Sequence, residues 1–233
     1  MASFSRAKKL IFIRHGVTEM NEALEGVEWG APGFVDCQLW DTKLTDSGVR
    51  QATNLNSNLA DRHGNTIDTN EIELLVSSPL KRALHTADLV YSGKLSSSVA
   101  RLAHPLFRER LYMSSEVGKQ KHVISEEHPE WNYDHLPDNE NWWYEHTCDE
   151  HRENYVEWRK PLDGIYCCPG EPYEEFRSRL VEARQWLLDR PEQCIALVSH
   201  WGVLMGLTGK SFHNCEVMVL SSDELLAEPK VDD

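Results

Sequence analysis

Short apolar runs of strand length alternate along the chain with longer segments in which apolar residues recur at helical spacing. The runs that predict buried strands are 9–13, 72–77, 194–198 and 217–220. The segments that predict helices are 44–62, 78–91, 172–189 and 203–207. This alternation is typical of an α/β fold, a three-layer α/β/α sandwich in which helices cover both faces of a mostly parallel central sheet.

Two of the predicted helices have recognisable starts. Thr45 precedes the apolar stripe of the first helix and is a candidate N-cap, because its hydroxyl can accept a hydrogen bond from a free backbone N–H. Ser78 and Pro79 precede the second helix as a candidate N-cap and a first-turn proline. We therefore expect these two helices to begin at these residues.

The middle of the chain, from about 112 to 170, breaks the alternation. It is rich in tryptophan, tyrosine, proline and acidic residues, and its periodicity is weak. We expect an insertion or lid beside the strand ends, within a single domain that spans residues 1–233. The tryptophans Trp131, Trp142 and Trp143 fit a substrate wall and a small core of the lid equally well.

The chain carries 38 acidic and 24 basic side chains, which gives a formal net charge of −14. This balance disfavours nucleic acids and anionic membrane surfaces as partners, because proteins bind both through Lys and Arg. A phosphate-bearing ligand would need a local basic pocket. The acidic segment from about 221 to 233 is expected to be a loose tail.

The six cysteines include no C-x-x-C pair, so we predict reduced thiols and no zinc site of the usual spacing. No apolar run is long enough to cross a bilayer, and the N-terminal residues do not resemble a signal peptide. We therefore expect a cytoplasmic protein.

Distinctive residues follow the carboxyl ends of three predicted strands. They are Arg14-His15-Gly16, Ser78-Pro79 with Arg82, and Ser199-His200-Trp201-Gly202. Ligands of α/β sheets bind beyond these strand ends. If the three strands are neighbours, two arginines and two histidines meet at one place.

These residue types suit a phosphoryl group. The guanidinium groups of Arg14 and Arg82 match phosphate oxygens, and Arg82 also lies in the first turn of a predicted helix, where free N–H groups favour anions. Gly16 would let the backbone approach the ligand. A neutral histidine could take the phosphoryl group covalently, while a carboxyl group with a raised pKa protonates the leaving oxygen. Chemistry alone does not rank His15 and His200 as the nucleophile.

Six segments carry short motifs. They are RHGVTEMN (14–21), DTKLTDSGVRQA (41–52), SSPLKRALHTA (77–87), FRERLY (107–112), PGEPYEEFRSR (169–179) and LVSHWGVLMGL (197–207). Together they resemble the histidine phosphatase superfamily, the phosphoglycerate-mutase-like proteins. The resemblance implies that family's mostly parallel sheet with flanking helices, a phosphohistidine intermediate, and no metal or organic cofactor.

The resemblance also implies roles for single residues. His15 would be the phosphorylated nucleophile and Glu109 the general acid, on a strand, with Glu116 as its rival. The side chains expected to bind the phosphoryl group are Arg14, Arg82 and His200. The remaining predicted substrate-binding residues are Asn21, Thr18, Gly16 and Trp201. A turn that they cap would also explain Thr18 and Asn21.

The predicted reaction is hydrolysis of a small phosphorylated metabolite. Val17 and Thr18 stand where glycolytic mutases have the Glu-Ser of R-H-G-E-S, and the segment between Asn21 and Asp41 is longer than theirs. Both departures favour the phosphatase branch of the superfamily.

Three alternatives stay open. A mutase would need extra cations in the insertion, such as Arg152, Arg159 and Lys160. A non-catalytic phospho-ligand-binding protein would share the fold, and an unrelated α/β enzyme would leave the three strand ends apart. The sequence names neither the substrate nor the oligomeric state, for which a dimer is one option.

Overall fold

A computed structural model describes residues 7–27, 36–138, 142–143 and 170–229 of the chain. Its strands are β1 (Lys9–Arg14), β2 (Leu74–Ser77), β3 (Ala100–Ala103), β4 (Cys194–Ser199) and β5 (Val217–Ser221). Its α-helices are α1 (Glu19–Ala23), α2 (Asp46–Ser57), α3 (Lys81–Val90), α4 (Lys121–Glu127), α5 (Tyr173–Asp189) and α6 (Trp201–Thr208). Its 3₁₀ turns are Thr69–Glu71, Pro105–Phe107, Ser114–Glu116 and Ser222–Glu224.

The five strands form one sheet in the order β3-β2-β4-β1-β5. Neighbouring strands are parallel except for the antiparallel pair of β1 and β5. Arg14 is paired with Ser199, and Ser77 with Val198, so β1, β4 and β2 end at the same level. The predicted mostly parallel sheet is confirmed, and its three central strands direct their carboxyl ends to one edge.

The side chains of β1 alternate between two apolar cores. Ile11 and Ile13 belong to the core that includes residues of α2 and α3. Leu10 and Phe12 belong to the core that includes residues of α5 and α6. Because both faces of the sheet are covered, its central strands are continuous apolar runs rather than alternating ones. This is the three-layer sandwich expected from the sequence.

The second helix, α2, has its predicted N-cap but ends earlier than predicted. Thr45 accepts a hydrogen bond from the backbone N–H of Gly48 at 3.2 Å. The helix ends at Ser57 rather than near residue 62. Leu59, which fits the helical spacing, is buried outside the helix, and its carbonyl accepts from Ile67 N at 2.9 Å. The helix was predicted too long because Leu59, which lies in the segment after the helix, is also buried in the core.

Helix α3 begins later than predicted. Its cap residue is Leu80, and Ser78 directly follows β2, where its backbone N–H donates to the carbonyl of Val198 on β4 at 3.0 Å. The prediction of Ser78 as N-cap was wrong. The hydroxyl of Ser78 instead lies 2.7 Å from Nε2 of His200.

The described part of the predicted insertion packs into the domain. Trp131, Trp142 and Trp143 are at most 5% exposed and belong to the same core as α3. A Cβ at Gly118 would lie 2.3 Å from the ring of Trp142, so only glycine allows this packing. Trp158 and the rest of the insertion lie outside the described residues.

The predicted loose tail begins with defined structure. Residues Ser222–Glu224 form a 3₁₀ turn, and Leu225 is buried against the α5 and α6 core. Within the described part of the chain, no helix has both the length and the apolar character needed to cross a membrane.

Candidate active site

The carboxyl ends of β2, β4 and β1 meet at one edge of the sheet, because these strands are adjacent. The ring centroids of His15 and His200 are 5.1 Å apart. Arg82, from the first turn of α3, is 3% exposed and interacts electrostatically with both histidines. The three strand ends converge as expected from the sequence. The alternative in which they stay apart is therefore wrong.

A cavity of about 480 Å³ opens at this edge. The predicted site residues that line it are Arg14, His15, Thr18, Asn21, Arg82, Glu109 and Trp201. Gly16 and His200 are not among the lining residues, and His200 is fully buried.

His15 is held in one tautomer. Its Nδ1 lies 2.8 Å from the carbonyl oxygen of Gly16. A carbonyl oxygen can only accept, so this contact assigns the proton to Nδ1 and leaves the lone pair on Nε2. Burial lowers the pKa of His15 well below its ordinary value, and the positive charges of Arg82 and Arg14 lower it further. The ring is therefore neutral and keeps a nucleophilic nitrogen.

His200 is fixed from the side of β2. Its Nε2 is 2.7 Å from the hydroxyl of Ser78. Burial, followed by the charge of Arg82, lowers the pKa of His200 well below its ordinary value, so this ring is also neutral. Among the described residues, Nδ1 of His200 and Nε of Arg14 are buried without a hydrogen-bond partner. Leaving such groups unpaired is costly, and an N–H of Arg14 is a donor that an anionic ligand could accept from.

Each arginine is anchored by backbone carbonyls. Nη1 of Arg14 donates to the carbonyl of Phe212 at 2.8 Å. Nη1 of Arg82 donates to the carbonyl of Ser115 at 2.6 Å, and Nη2 of Arg82 reaches Glu116 Oε1 at 3.4 Å. Two oriented guanidinium groups therefore flank His15 before any ligand is bound.

Glu109 lies outside any strand, in the segment after the 3₁₀ turn Pro105–Phe107, so its expected placement on a strand was wrong. Its Oε2 accepts a hydrogen bond from the backbone N–H of Gly202 at 3.1 Å. A Cβ at Gly202 would lie 2.5 Å from Oε1 of Glu109. The glycine after Trp201 therefore makes room for the carboxyl group at the start of α6.

Glu116, the rival acid, is more deeply buried than Glu109. Its carboxylate accepts from the backbone N–H of Met113 at 2.7 Å and from the hydroxyl of Ser115 at 2.5 Å, and it lies beside Arg82. Burial outweighs the charge of Arg82 and raises the pKa of Glu116 to about 7. Both acids line the cavity. Glu109 is the more accessible, whereas Glu116 is tied to the arginine that it orients.

Thr18 and Asn21 have a local structural function. They form a capping box at the start of α1, in which the backbone N–H of Asn21 donates to the Thr18 hydroxyl at 3.2 Å. The side-chain amide of Asn214 donates to the carbonyl of His15 at 3.0 Å and to Oδ1 of Asn21 at 3.3 Å. These contacts hold the segment that follows β1, with His15, in place.

Gly16 is in close contact with a neighbouring helix of the protein. A Cβ at this position would lie 2.9 Å from the carbonyl oxygen of Gly48 on α2. The backbone N–H of Gly16 donates to the hydroxyl of Thr86 at 3.0 Å. The glycine therefore allows the loop after β1 to pack closely against α2 and α3, a role that was not predicted from the sequence, and its approach to a ligand stays a prediction.

Several lining residues were not predicted. They are Met20, Leu24, Thr42, Arg110, Tyr112, Met113, Ser115, Phe176, Gly202 and Met205. Most of them lie inside the six motif segments, and this position in the sequence was the one signal that could have identified them. No group of three or more His, Cys, Asp or Glu side chains that could hold a metal ion occurs within residues 7–27, 36–138, 142–143 and 170–229.

The chain belongs to the histidine phosphatase superfamily, branch 1, whose family model matches residues 10–147 and 138–216. No curated protein sequence matches it.

Several solved structures share its fold. The ecdysone phosphate phosphatase from Bombix mori has a TM-score of 0.57 at 13% identity, with 97% of this chain and 95% of that chain covered. The mycobacterial glucosyl-3-phosphoglycerate phosphatase has a TM-score of 0.51 at 18% identity, with coverages of 97% and 98%. Mycobacterial hydrolase 1 has a TM-score of 0.52 at 19% identity, with 98% of each chain covered. These likenesses show the shared fold, and the family match shows the superfamily.

Proposed function

We propose that this protein is a phosphatase that hydrolyses a phosphomonoester through a phosphohistidine intermediate on His15, without a metal ion. The observation that carries the proposal is the state of His15, a neutral imidazole with its proton on Nδ1, between two anchored guanidinium groups. Cationic donors at these positions would hold the phosphoryl oxygens while charge redistributes in the transition state.

In the first step Nε2 of His15 attacks phosphorus, and the bond from phosphorus to the ester oxygen breaks. Glu109 donates its proton to that oxygen, so the alcohol leaves neutral. In the second step Glu109 takes a proton from water, and the resulting hydroxide attacks the phosphohistidine. Inorganic phosphate leaves, and His15 and Glu109 return to their starting states.

The mutase is the second candidate function. It would need cations to hold the carboxylate of a phosphoglycerate. Apart from the two phosphate-binding arginines, Arg110 is the one cationic residue among the described residues that line the cavity, and its Nε already donates to the carbonyl of Glu171 at 2.9 Å. Arg152, Arg159 and Lys160 lie outside the described residues, so a contribution from them stays a prediction.

The test is hydrolysis of p-nitrophenyl phosphate from about pH 5 to 8 with and without EDTA. We expect EDTA-resistant activity in the wild type, its loss in His15→Ala, and unchanged activity in His122→Ala, a control at an exposed histidine on α4. Unchanged activity in His15→Ala would contradict the proposal. Turnover of 3-phosphoglycerate with a bisphosphoglycerate primer, without net hydrolysis, would favour the mutase.

Further properties predicted from the sequence are also proposed for this protein. These are a single domain over residues 1–233 with the insertion at about 112–170, a cytoplasmic location, a small phosphorylated metabolite as ligand, and no nucleic-acid or membrane partner. The oligomeric state, with a dimer as one option, can be checked by light scattering.

A further inference from the structure

We propose that the substrate is the phosphomonoester of an apolar alcohol, whose hydrocarbon part packs against the apolar side chains that line the cavity. The inference rests on the proposed phosphatase function and adds the chemical class of the leaving group. It follows from the side chains that line the cavity beyond the phosphoryl-binding residues.

Much of the cavity lining comes from apolar and aromatic side chains of four separate segments. These side chains are Met20 of α1 with Leu24 directly after it, Tyr112 and Met113 of the segment after Glu109, Phe176 of α5, and Met205 with Trp201 of α6. The lining residues expected to hold the phosphoryl group are His15, Arg14 and Arg82. A substrate held with its phosphoryl group at His15 would therefore direct its remaining atoms at hydrocarbon and aromatic surface, whose burial favours binding.

Trp201 lies at the cavity as one of the few exposed large apolar side chains among the described residues, at 39%. Its ring is not free to turn away, because Nε1 donates to the hydroxyl of Ser211 at 3.0 Å. An aromatic side chain that is tethered by a hydrogen bond and remains partly exposed gains from being covered by an apolar ligand.

Arg110 could serve a charged substrate, but its guanidinium group is already engaged. Besides its bond to Glu171, it donates to the hydroxyl of Tyr112, and its Cζ lies 4.2 Å from the centroid of that ring. The same Cζ lies 5.8 Å from the ring centroids of Tyr173 and Phe176. Arg110 thus packs the aromatic wall together. A second anionic group on the substrate would have to compete with these contacts.

Methionine supplies an unusual share of the wall. The chain has five methionines, and three of them, Met20, Met113 and Met205, line this cavity. Methionine side chains are flexible and polarisable, and they are used at surfaces that accept apolar groups of more than one shape. We therefore expect the site to respond to the amount of apolar surface on the ligand more than to its detailed shape.

The test uses ethyl-, butyl- and hexylphosphonate, which cannot be hydrolysed, with Kd measured by calorimetry. Binding is read independently of catalysis, while p-nitrophenyl phosphate turnover is followed in parallel. A fully buried methylene changes affinity about fourfold. We therefore expect Kd to fall by about tenfold or more from the ethyl to the hexyl compound, with a heat capacity of binding that becomes more negative along the series.

Met205→Gln, which keeps the side-chain length, should reduce the hexyl-to-ethyl affinity ratio by about fourfold, the value of one methylene. The control is Val181→Gln, at an apolar residue of α5 that is 48% exposed and does not line the cavity, and it should leave the ratio unchanged. A flat series, tighter binding of 3-phosphoglycerate than of hexylphosphonate, or an unchanged ratio in Met205→Gln would overturn the inference. Absence of p-nitrophenyl phosphate turnover alongside a steep series would overturn the phosphatase function alone.

Discussion

Glu171 holds together the segment that carries Glu109, and Glu171→Gln tests whether that buried carboxylate positions the general acid. Its Oε1 accepts from Nη2 of Arg108 at 3.0 Å and from Nε of Arg179 at 2.8 Å, and its Oε2 accepts from Nη2 of Arg179 at 2.7 Å. Nη1 of Arg179 in turn donates to the carbonyls of Leu106 and Arg108, both at 2.8 Å. The carboxylate thus orients Arg179, which donates to the backbone on the N-terminal side of Glu109, and also binds Arg108, the residue directly before Glu109.

The expected loss follows from the charges left behind. Glu171 is 2% exposed, and the side chains of Arg108 and Arg179 are each 9% exposed. Removing one partner of a buried ion pair costs about 3–5 kcal/mol, because the remaining charge is buried without compensation. We expect a decrease of this size in the free energy of unfolding at pH 7. We also expect a fall in kcat on the order of 100-fold, since displacement of a catalytic group by about 1 Å has that effect.

The pH dependence of stability gives an independent measure of how much Glu171 contributes to the free energy of unfolding. Although burial alone would raise it, the two arginines lower the pKa of Glu171 from 4.5 to about 2. Because the folded-state pKa is the lower one, the stabilisation is fully present above pH 4.5 and is lost as the pH falls through 2. The difference corresponds to about 3 kcal/mol at about 1.4 kcal/mol per pKa unit. The deficit of Glu171→Gln should therefore shrink between pH 5 and pH 2.

The assay is urea unfolding followed by tryptophan fluorescence, together with p-nitrophenyl phosphate kinetics, at several pH values. The matched control is Glu71→Gln at the surface pair with Lys9, whose side chains are 54% and 37% exposed. This control should change the free energy of unfolding by less than about 1 kcal/mol. A loss below about 1 kcal/mol in Glu171→Gln, or a deficit that is the same at pH 3 and pH 7, would refute the reasoning.

Three further predictions concern the acids near His15. Glu109→Gln should lower kcat by about 10²–10⁴-fold, more for alkyl phosphates than for p-nitrophenyl phosphate, and an equal loss would remove Glu109 as the acid. Because burial raises the pKa of Glu116 to about 7, the stabilising contribution of this carboxyl group is lost as the pH rises towards 7. The free energy of unfolding of Glu116→Gln, measured in urea, should therefore rise relative to that of the wild type by about 3 kcal/mol between pH 4.5 and pH 8. A parallel pH dependence would contradict this. Gly202→Ala should displace Glu109 and lower kcat by about tenfold or more, with an unfolding midpoint close to that of the wild type, and full activity would show that the contact is not needed.

The central strands could be predicted because burial on both faces makes them continuous apolar runs. β3, with the sequence ARLA, could not be predicted in this way. Arg101 within it is paired with Asp88 and Glu130 at 3.6 and 2.7 Å, contacts between residues distant in sequence. Arg101 interrupts the apolar pattern of the strand, and its charge is paired only once the chain has folded.

Part of the candidate site could be predicted from the sequence, and part of it could not. The convergence of His15, Arg82 and His200 could be predicted, because parallel strands end at one edge. The relation of Glu116 to Arg82 could not, since a 3₁₀ turn places that carboxylate beside the arginine. The hydrogen bond between Ser78 and His200 was also missed, because the serine was assigned to the helix start.

The central claim is that His15 carries the phosphoryl group during turnover. The most direct measurement mixes the protein with excess p-nitrophenyl phosphate, quenches in alkali after milliseconds, and locates the phosphoryl group by mass spectrometry of peptides. We expect an acid-labile phosphoryl group on the peptide that contains His15. It should be absent in His15→Ala and present in Glu109→Gln. Steady hydrolysis with no phosphorylated peptide, or with the phosphoryl group on His200, would contradict it.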